Sequence, residues 1–244
     1  MGDMRAVAGA VGVLAVAGVV RDRVRGVAGV PVSLAATGVL IVIARRAGCT
    51  RGELGLGASG KGLRHGAVAA GVVGAVYAAG VAAPRTRVLF DDDRAAGTGA
   101  GLARQALVEV PFGTVVLEEA GFRAVLPALL RPACGEVGAD AVAAGLFGLW
   151  HILPSRDLVA ANPALAEAAA AGVPPSPVRA AVSAVVTTAA AGVLFAALRR
   201  RSGSVIAPAL LHAATNSLGY AAAWAVRRRS RAHAPVRVRP ASRA

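Results

Sequence analysis

Long apolar runs that end in arginine clusters are the feature that most limits what this chain can fold into. Residues 26–44 precede a pair of arginines, and residues 178–198 and 203–226 each precede an arginine triplet. A helix needs roughly 20 mainly apolar residues to cross the hydrocarbon core of a bilayer. Basic residues are typical of the loops that flank such helices. The pattern therefore predicts membrane-spanning helices.

Further apolar segments extend this pattern over most of the chain. They cover residues 6–20, 65–83, 102–130 and 139–153. Together the segments predict an all-α fold, a polytopic membrane helix bundle of about seven transmembrane helices, or eight if the segment at 102–130 is broken. An acidic triplet and glycines between 84 and 101 indicate a solvated loop. The arginine- and proline-rich tail, residues 227–244, is predicted to be disordered.

The overall composition agrees with a membrane protein. Of the 244 residues, 56% are hydrophobic and only 16% are charged, where soluble domains have about a quarter. The formal net charge of +14 does not indicate a nucleic-acid partner, because the arginines lie between apolar runs and aromatic residues make up only 4%. The two cysteines, Cys49 and Cys134, lie far apart and form neither a disulfide framework nor a zinc motif.

Ionisable side chains within the predicted spans lie almost entirely in the second half of the chain. Each costs roughly 2.5–3.5 kcal/mol on insertion scales, so each is a candidate functional residue. In the first group, Glu119 and Arg123 are four residues apart on one helical face and are able to pair. Glu118 points about 100° away and has no partner nearby in sequence. It is therefore suited to act as a general base, although a surface ion pair would fit the same spacing.

Two further groups follow in later spans. Phe147 and His151 lie four residues apart, as do His212 and Asn216. A single histidine at the end of a span is often a packing residue, and an imidazole with a carboxamide also joins helices by hydrogen bonds. The same neutral side chains are suitable donors to an oxyanion.

The three groups in this order resemble the motifs of the CPBP intramembrane proteases. This family, also called Abi, includes the type II CAAX prenyl endopeptidases. The resemblance rests on E-E-x-x-x-R at 118–123, F-x-x-x-H at 147–151 and H-x-x-x-N at 212–216, with the lead-ins "LFGLWH" and "IAPALLH". It covers residues 102–226, which it identifies as the protease core, and leaves residues 1–101 as N-terminal helices and a charged loop. Ala124 replaces the glycine often found after the motif arginine.

The resemblance implies a role for each of these side chains. Glu118 and His151 would position and deprotonate a water, and His212 and Asn216 would stabilise the tetrahedral oxyanion. The supporting residues would be Glu119, Arg123 and Phe147. A zinc ion held by Glu118, His151 and His212 is a second possibility. The metal-free mechanism, without a cofactor, is favoured because the HExxH arrangement is absent.

The implied substrate is a membrane-associated peptide or protein, which could be of CAAX type, and the lipid bilayer is the implied environment. We expect an integral membrane protein of a bacterial plasma membrane; no motif indicates an oligomeric state. A non-catalytic membrane scaffold or a bacteriocin-immunity-type protein would retain the same residues for packing. A transporter with a proton relay is a third reading, although no repeated halves are visible.

Overall fold

A computed structural model describes residues 3–24, 26–57, 59–95, 97–155, 158–169 and 176–232. Within these residues every regular element is a helix. Seven long helices form the bundle: α1 (Met4–Arg23), α2 (Gly29–Arg46), α3 (Ser59–Ala82), α4 (residues 99–134), α5 (residues 136–150), α6 (Pro177–Ser202) and α7 (Ile206–Ala232). Short helical turns lie between them at Pro84–Arg87, Leu158–Ala161 and Pro163–Ala169.

The bundle has the length and composition of a membrane protein. Within the part of the chain that the structure describes, five helical segments are long and apolar enough to cross a bilayer, and one of them is the combined stretch Gly99–Trp150. The all-α membrane fold predicted from the sequence is therefore confirmed. The count of seven or eight spans stays a prediction.

The stretch Gly99–Trp150 folds back on itself at Gly135. Gly135 has φ 70° and ψ 178°, a conformation that is essentially limited to glycine. The rings of Phe122 and Trp150 lie 5.7 Å apart, whereas a straight helix would separate these residues by about 42 Å. α4 and α5 therefore form a helical hairpin, which brings the first two motifs close together.

A buried apolar cluster joins this hairpin to α1 and α2. It includes Leu14 of α1, Leu40 of α2, Leu117 of α4 and Phe147 of α5. A second close contact joins α3 and α7. A Cβ atom at Gly62 would lie 2.6 Å from the Ser204 side chain, and one at Gly66 would lie 2.8 Å from Leu210. Small residues allow helices to approach in this way within a membrane.

α4 departs from regular α-helical hydrogen bonding at two places. Gln105–Val115 and Ala120–Val125 are π-helical, and they flank one α-helical turn, Val116–Glu119. Pro111 lies inside the first π-segment and has no N–H to offer the carbonyl of Ala106. The Ser217 hydroxyl of α7 donates to that carbonyl over 2.7 Å instead. This bond attaches α7 to α4 beside Asn216, the last residue of the third motif.

The C-terminal part of α7 differs from the prediction. The tail was expected to be disordered from residue 227, but α7 continues to Ala232. Arginine favours helix formation, and Arg227 is held by ion pairs of 2.9 Å to Asp91 and 2.5 Å to Asp93 of the acidic loop. The remaining tail positions, 233–244, lie outside the described residues.

Candidate active site

Two adjacent buried carboxylates form the centre of the candidate site. Glu118 and Glu119 occupy the single α-helical turn between the two π-segments of α4. Their exposed fractions are 3% and 2%. Because they point to different sides of the helix, each has its own set of neighbours. The two carboxylates therefore differ in the chemistry that they are able to perform.

Glu119 is held by polar partners on both sides. Its Oε1 lies 3.5 Å from Nη1 of Arg123, which confirms the pair predicted from their spacing, and 2.8 Å from Nδ1 of His212. The Arg123 guanidinium is stacked 3.8 Å from the ring centre of Phe147 and 4.9 Å from that of Phe195. Such buried groups are costly to leave unpaired. The arrangement gives Glu119 a structural role in joining α4 to α7.

Glu118 is held through only one of its two oxygens. Oε1 accepts a hydrogen bond from Nε1 of Trp150 over 3.0 Å and lies 3.8 Å from Nη1 of Arg21. Oε2 lies 3.7 Å from Nε2 of His212. Among the described residues, this second oxygen is buried without a hydrogen-bond partner, as Oε2 of Glu119 also is. One oxygen of Glu118 is therefore left to accept a proton.

A cavity of about 1080 Å³ lies between α1, α4, α5 and α7. Three of the four predicted catalytic residues, Glu118, His151 and Asn216, line it, whereas His212 is not among the lining residues. Apolar side chains such as Leu14 and Phe122 share the wall with polar ones. Ligand sites of this size commonly combine an apolar lining with few polar groups.

The histidine of the second motif occupies the C-terminal end of α5. Nδ1 of His151 lies 2.8 Å from the carbonyl oxygen of Phe147, four residues earlier. Because a carbonyl only accepts hydrogen bonds, Nδ1 carries the proton and the neutral ring keeps Nε2 as an acceptor. His151 is thus able to accept a hydrogen bond from a water or a substrate. Asn216 is half-buried at the cavity wall on α7.

The supporting residues lie behind the cavity wall. Glu119, Arg123 and Phe147 are buried and are not among the residues that line the cavity. The Phe147 ring contacts His151 at 4.5 Å and His212 at 6.0 Å between ring centres. Phe147 thus packs between both histidines. The structure brings all seven motif residues into one neighbourhood.

Sequence reasoning missed three polar residues of the same cavity. Arg21 and Trp150 both contact Glu118, and Glu109 is a third buried carboxylate, paired with Arg104 over 2.9 Å. Trp150 stands directly before the motif histidine, but adjacency in sequence did not assign it a role. Arg21 follows the first apolar run, so it has the pattern of an ordinary flanking arginine.

The outer rim of the cavity carries an internal ion pair. Asp92 lines the cavity and accepts hydrogen bonds from the backbone N–H and the guanidinium of Arg94, at 2.6–3.2 Å. Partial burial raises the pKa of Asp92, but the bonds from Arg94 outweigh burial and lower it overall. The rim therefore carries the Asp92 carboxylate in its charged form, paired with the Arg94 guanidinium.

The zinc alternative requires three ligands around one open position. Within the described segments, no three His, Cys, Asp or Glu side chains are arranged so that they could hold a metal ion. Nδ1 of His151 faces a carbonyl and Nδ1 of His212 faces Glu119. These bonds at Nδ1 leave Nε2 of both neutral rings as acceptors, which is also the usual state of a metal-ligating histidine. The choice of the metal-free mechanism over zinc therefore stays a prediction.

The family comparison matches the part of the chain that contains these side chains. The sequence model described as type II CAAX prenyl endopeptidase Rce1-like matches residues 103–218. These residues therefore belong to the CAAX protease family. The family implies a protease whose substrates are membrane-associated proteins. Together with the five apolar helices, the match indicates an integral membrane protein.

No curated protein and no solved structure matches this chain. The matched range contains every motif residue from Glu118 to Asn216. It leaves out α1, α2 and α3, so the match does not include Arg21.

Proposed function

We propose that this protein is an intramembrane endopeptidase in which Glu118 is the general base. The observation that carries the proposal is the position of Glu118. It is the one carboxylate of the E-E-x-x-x-R motif that lines the cavity, and it shares the wall with His151 and Asn216. Its partner Glu119 is already bound by Arg123 and His212. The two adjacent carboxylates therefore divide into a reacting and a supporting group.

The reaction is hydrolysis of a peptide bond. A water held by Glu118 Oε2 and His151 Nε2 attacks the carbonyl carbon of the substrate while Glu118 takes its proton. The C–N bond then breaks as that proton passes to the leaving nitrogen. Proton transfer by a positioned side chain contributes about 10²–10⁴-fold to such rates. The products are a carboxylic acid and an amine, and no cofactor is consumed.

The side-chain amide of Asn216 is the donor that we assign to the oxyanion. A donor aimed at the developing charge contributes about 10²–10³-fold in comparable sites. His212 was predicted to share this role, but it lies behind the wall with Nδ1 directed at Glu119. In that tautomer its Nε2 is an acceptor. We therefore propose that His212 holds Glu119 in place through Nδ1–H instead of contacting the substrate.

The proposed substrate is a membrane-associated peptide or protein, including the prenylated CAAX type, and the proposed location is the plasma membrane of a bacterium. The apolar lining supports this class, because Leu14, Phe122 and Leu146 share the cavity with Glu118. An extended peptide with an apolar or lipidated side chain would bury that part against the lining. The polar groups would remain next to the peptide bond.

The test is cleavage of a mixed library of lipidated and unmodified membrane peptides by the purified protein in liposomes. Wild type is compared with Glu118→Gln and with Glu136→Gln, an exposed carboxylate at the hairpin turn that serves as the matched control. Each protein is assayed with and without a strong chelator. We expect Glu118→Gln to lose cleavage and Glu136→Gln to retain it, with no effect of the chelator.

Other outcomes have defined meanings. Loss of cleavage with the chelator would assign Glu118 to a metal site. Equal cleavage by wild type and Glu118→Gln would remove Glu118 as the base. An intact library with every protein would favour the scaffold or immunity-type reading.

A further inference from the structure

We propose that Arg21, in the last turn of α1, is a positioning residue that fixes the orientation of the Glu118 carboxylate. This inference rests on the proposed role of Glu118 as the base. It assigns a part of the site to a helix outside the matched residues 103–218. The N-terminal helices would then contribute to the reaction itself in addition to anchoring the chain.

Arg21 contacts two side chains that lie about one turn apart on α4. Nη2 donates a hydrogen bond to the Thr114 hydroxyl over 2.8 Å, while Nη1 lies 3.8 Å from Oε1 of Glu118. Thr114 and Glu118 are four residues apart, so both face α1. The hydrogen bond to Thr114 thus holds the guanidinium next to the carboxylate of Glu118. Its planar fork is suited to contacting two oxygens at once.

Burial distinguishes Arg21 from an ordinary flanking arginine. Its side chain is only 21% exposed and lines the cavity, whereas Arg23 of the same turn is exposed. A flanking arginine extends its stem toward water and headgroups. Arg21 instead extends inward to Thr114 and gives up much of its hydration. A buried cation of this kind needs an anion, and Glu118 lies within ion-pair distance of it.

Arg21 and Trp150 act on the same oxygen from opposite helices. The Trp150 N–H of α5 and the Arg21 cation of α1 both address Oε1 of Glu118. Rotation of the carboxylate would break the hydrogen bond and separate the ion pair. Oε2 therefore stays the free oxygen, and the proton is accepted on the side of His212. A misplaced catalytic group costs about 10²-fold in rate for a shift of 1 Å.

The charged and titratable groups that face Glu118 come from every helix packed around it. They are Arg21 of α1, Glu119 and Arg123 of α4, His151 of α5 and His212 of α7. Arg123 is already committed to Glu119. Arg21 is thus a permanent cation that contacts Glu118 from the cavity side.

The first experiment compares cleavage by Arg21→Met and Arg21→Lys with wild type in liposomes. Arg23→Met is the matched control, because it removes an exposed arginine of the same helical turn. We expect Arg21→Met to lower kcat about 10- to 100-fold with little change in KM. Arg21→Lys should recover part of this loss. An unchanged kcat in Arg21→Met would overturn the proposal.

A second experiment needs no substrate. Thermal unfolding in detergent is measured for Arg21→Met, Glu118→Gln and the double variant. Coupling between the two positions, seen as a double variant less destabilised than the sum of the single changes, supports the contact. Additive shifts would overturn it. If Glu118→Gln keeps full cleavage, the proposed function fails; if it is inactive while Arg21→Met matches wild type, only the role of Arg21 fails.

Discussion

The indole N–H of Trp150 donates a hydrogen bond to Oε1 of Glu118 over 3.0 Å, which connects the end of α5 to the middle of α4. This bond exists because the chain reverses at Gly135. It places the side chain before His151 directly on the proposed base. A structural feature of the hairpin is therefore also part of the site.

The contribution of this bond is testable with Trp150→Phe. The phenyl ring keeps the contact with Phe122 but removes the N–H donor. A hydrogen bond to a charged group is worth about 1.5–3 kcal/mol, so we expect kcat to fall roughly tenfold or more. Steady-state cleavage in liposomes provides the measurement. Trp224→Phe removes a similar N–H from the protein surface, where it bonds to Gly97, and should leave kcat unchanged.

Replacing Arg123 with methionine should destabilise the whole bundle. Arg123 is 2% exposed and pairs with Glu119, so its removal leaves an uncompensated buried carboxylate beside His212. Breaking such a pair costs about 3–5 kcal/mol. Denaturant unfolding in mixed micelles would measure the change. Arg64→Met removes an exposed arginine of α3 and should behave as wild type; a similar midpoint for both variants would contradict the prediction.

Gly135→Ala should weaken the hairpin through the backbone alone. No atom lies within 4 Å of a Cβ built at Gly135, so steric contacts do not contribute. Its φ of 70° with ψ of 178° is costly for an L-residue, by about 1–3 kcal/mol. Gly145→Ala is the matched control in α5, because its Cβ also meets open space. That variant should be neutral or slightly stabilising, so only Gly135→Ala should lower the melting temperature.

The acidic loop should be released by loss of Arg227. This residue pairs with Asp91 and Asp93 and holds the loop against the end of α7. Exposed pairs are worth about 0–1 kcal/mol, so Arg227→Met should hardly change the melting temperature. It should instead increase cleavage of the loop by an added soluble protease. Wild type in about 1 M salt should show the same increase, since ion pairs are screened there. Equal protection of the loop in all samples would contradict the role of these ion pairs.

The sequence supported the local relationships and the motifs, but not the contacts between distant helices. The Glu119–Arg123 pair followed from helical periodicity alone, and the structure confirms it at 3.5 Å. The meeting of Glu118 with His212 was implied only by the resemblance, because no periodicity relates residues of different helices. Separate spans at 102–130 and 139–153 were expected, and the hairpin agrees with them. The position of the reversal depended on one backbone conformation at Gly135.

Arg21 and Trp150 could not have been assigned from sequence. An arginine after an apolar run has the same pattern whether it points to water or into a cavity. The π-segments of α4 were missed for a related reason, since Pro111 in a predicted span indicates a kink but not its form. Ser217 accommodates that proline by bonding to the Ala106 carbonyl, and this compensation lies on another helix. Such tertiary partners are visible only once the helices are assembled.

The convergence of α1, α5 and α7 on Glu118 has a consequence for how the protein is made. A ribosome delivers Arg21 early, Trp150 later and His212 nearly last. Glu118 enters the membrane without its full set of neighbours, and it acquires them only when the final helix has docked. On the proposed mechanism, a partly synthesised or truncated chain therefore presents a glutamate without the side chains that position it, and it should not hydrolyse nearby membrane proteins.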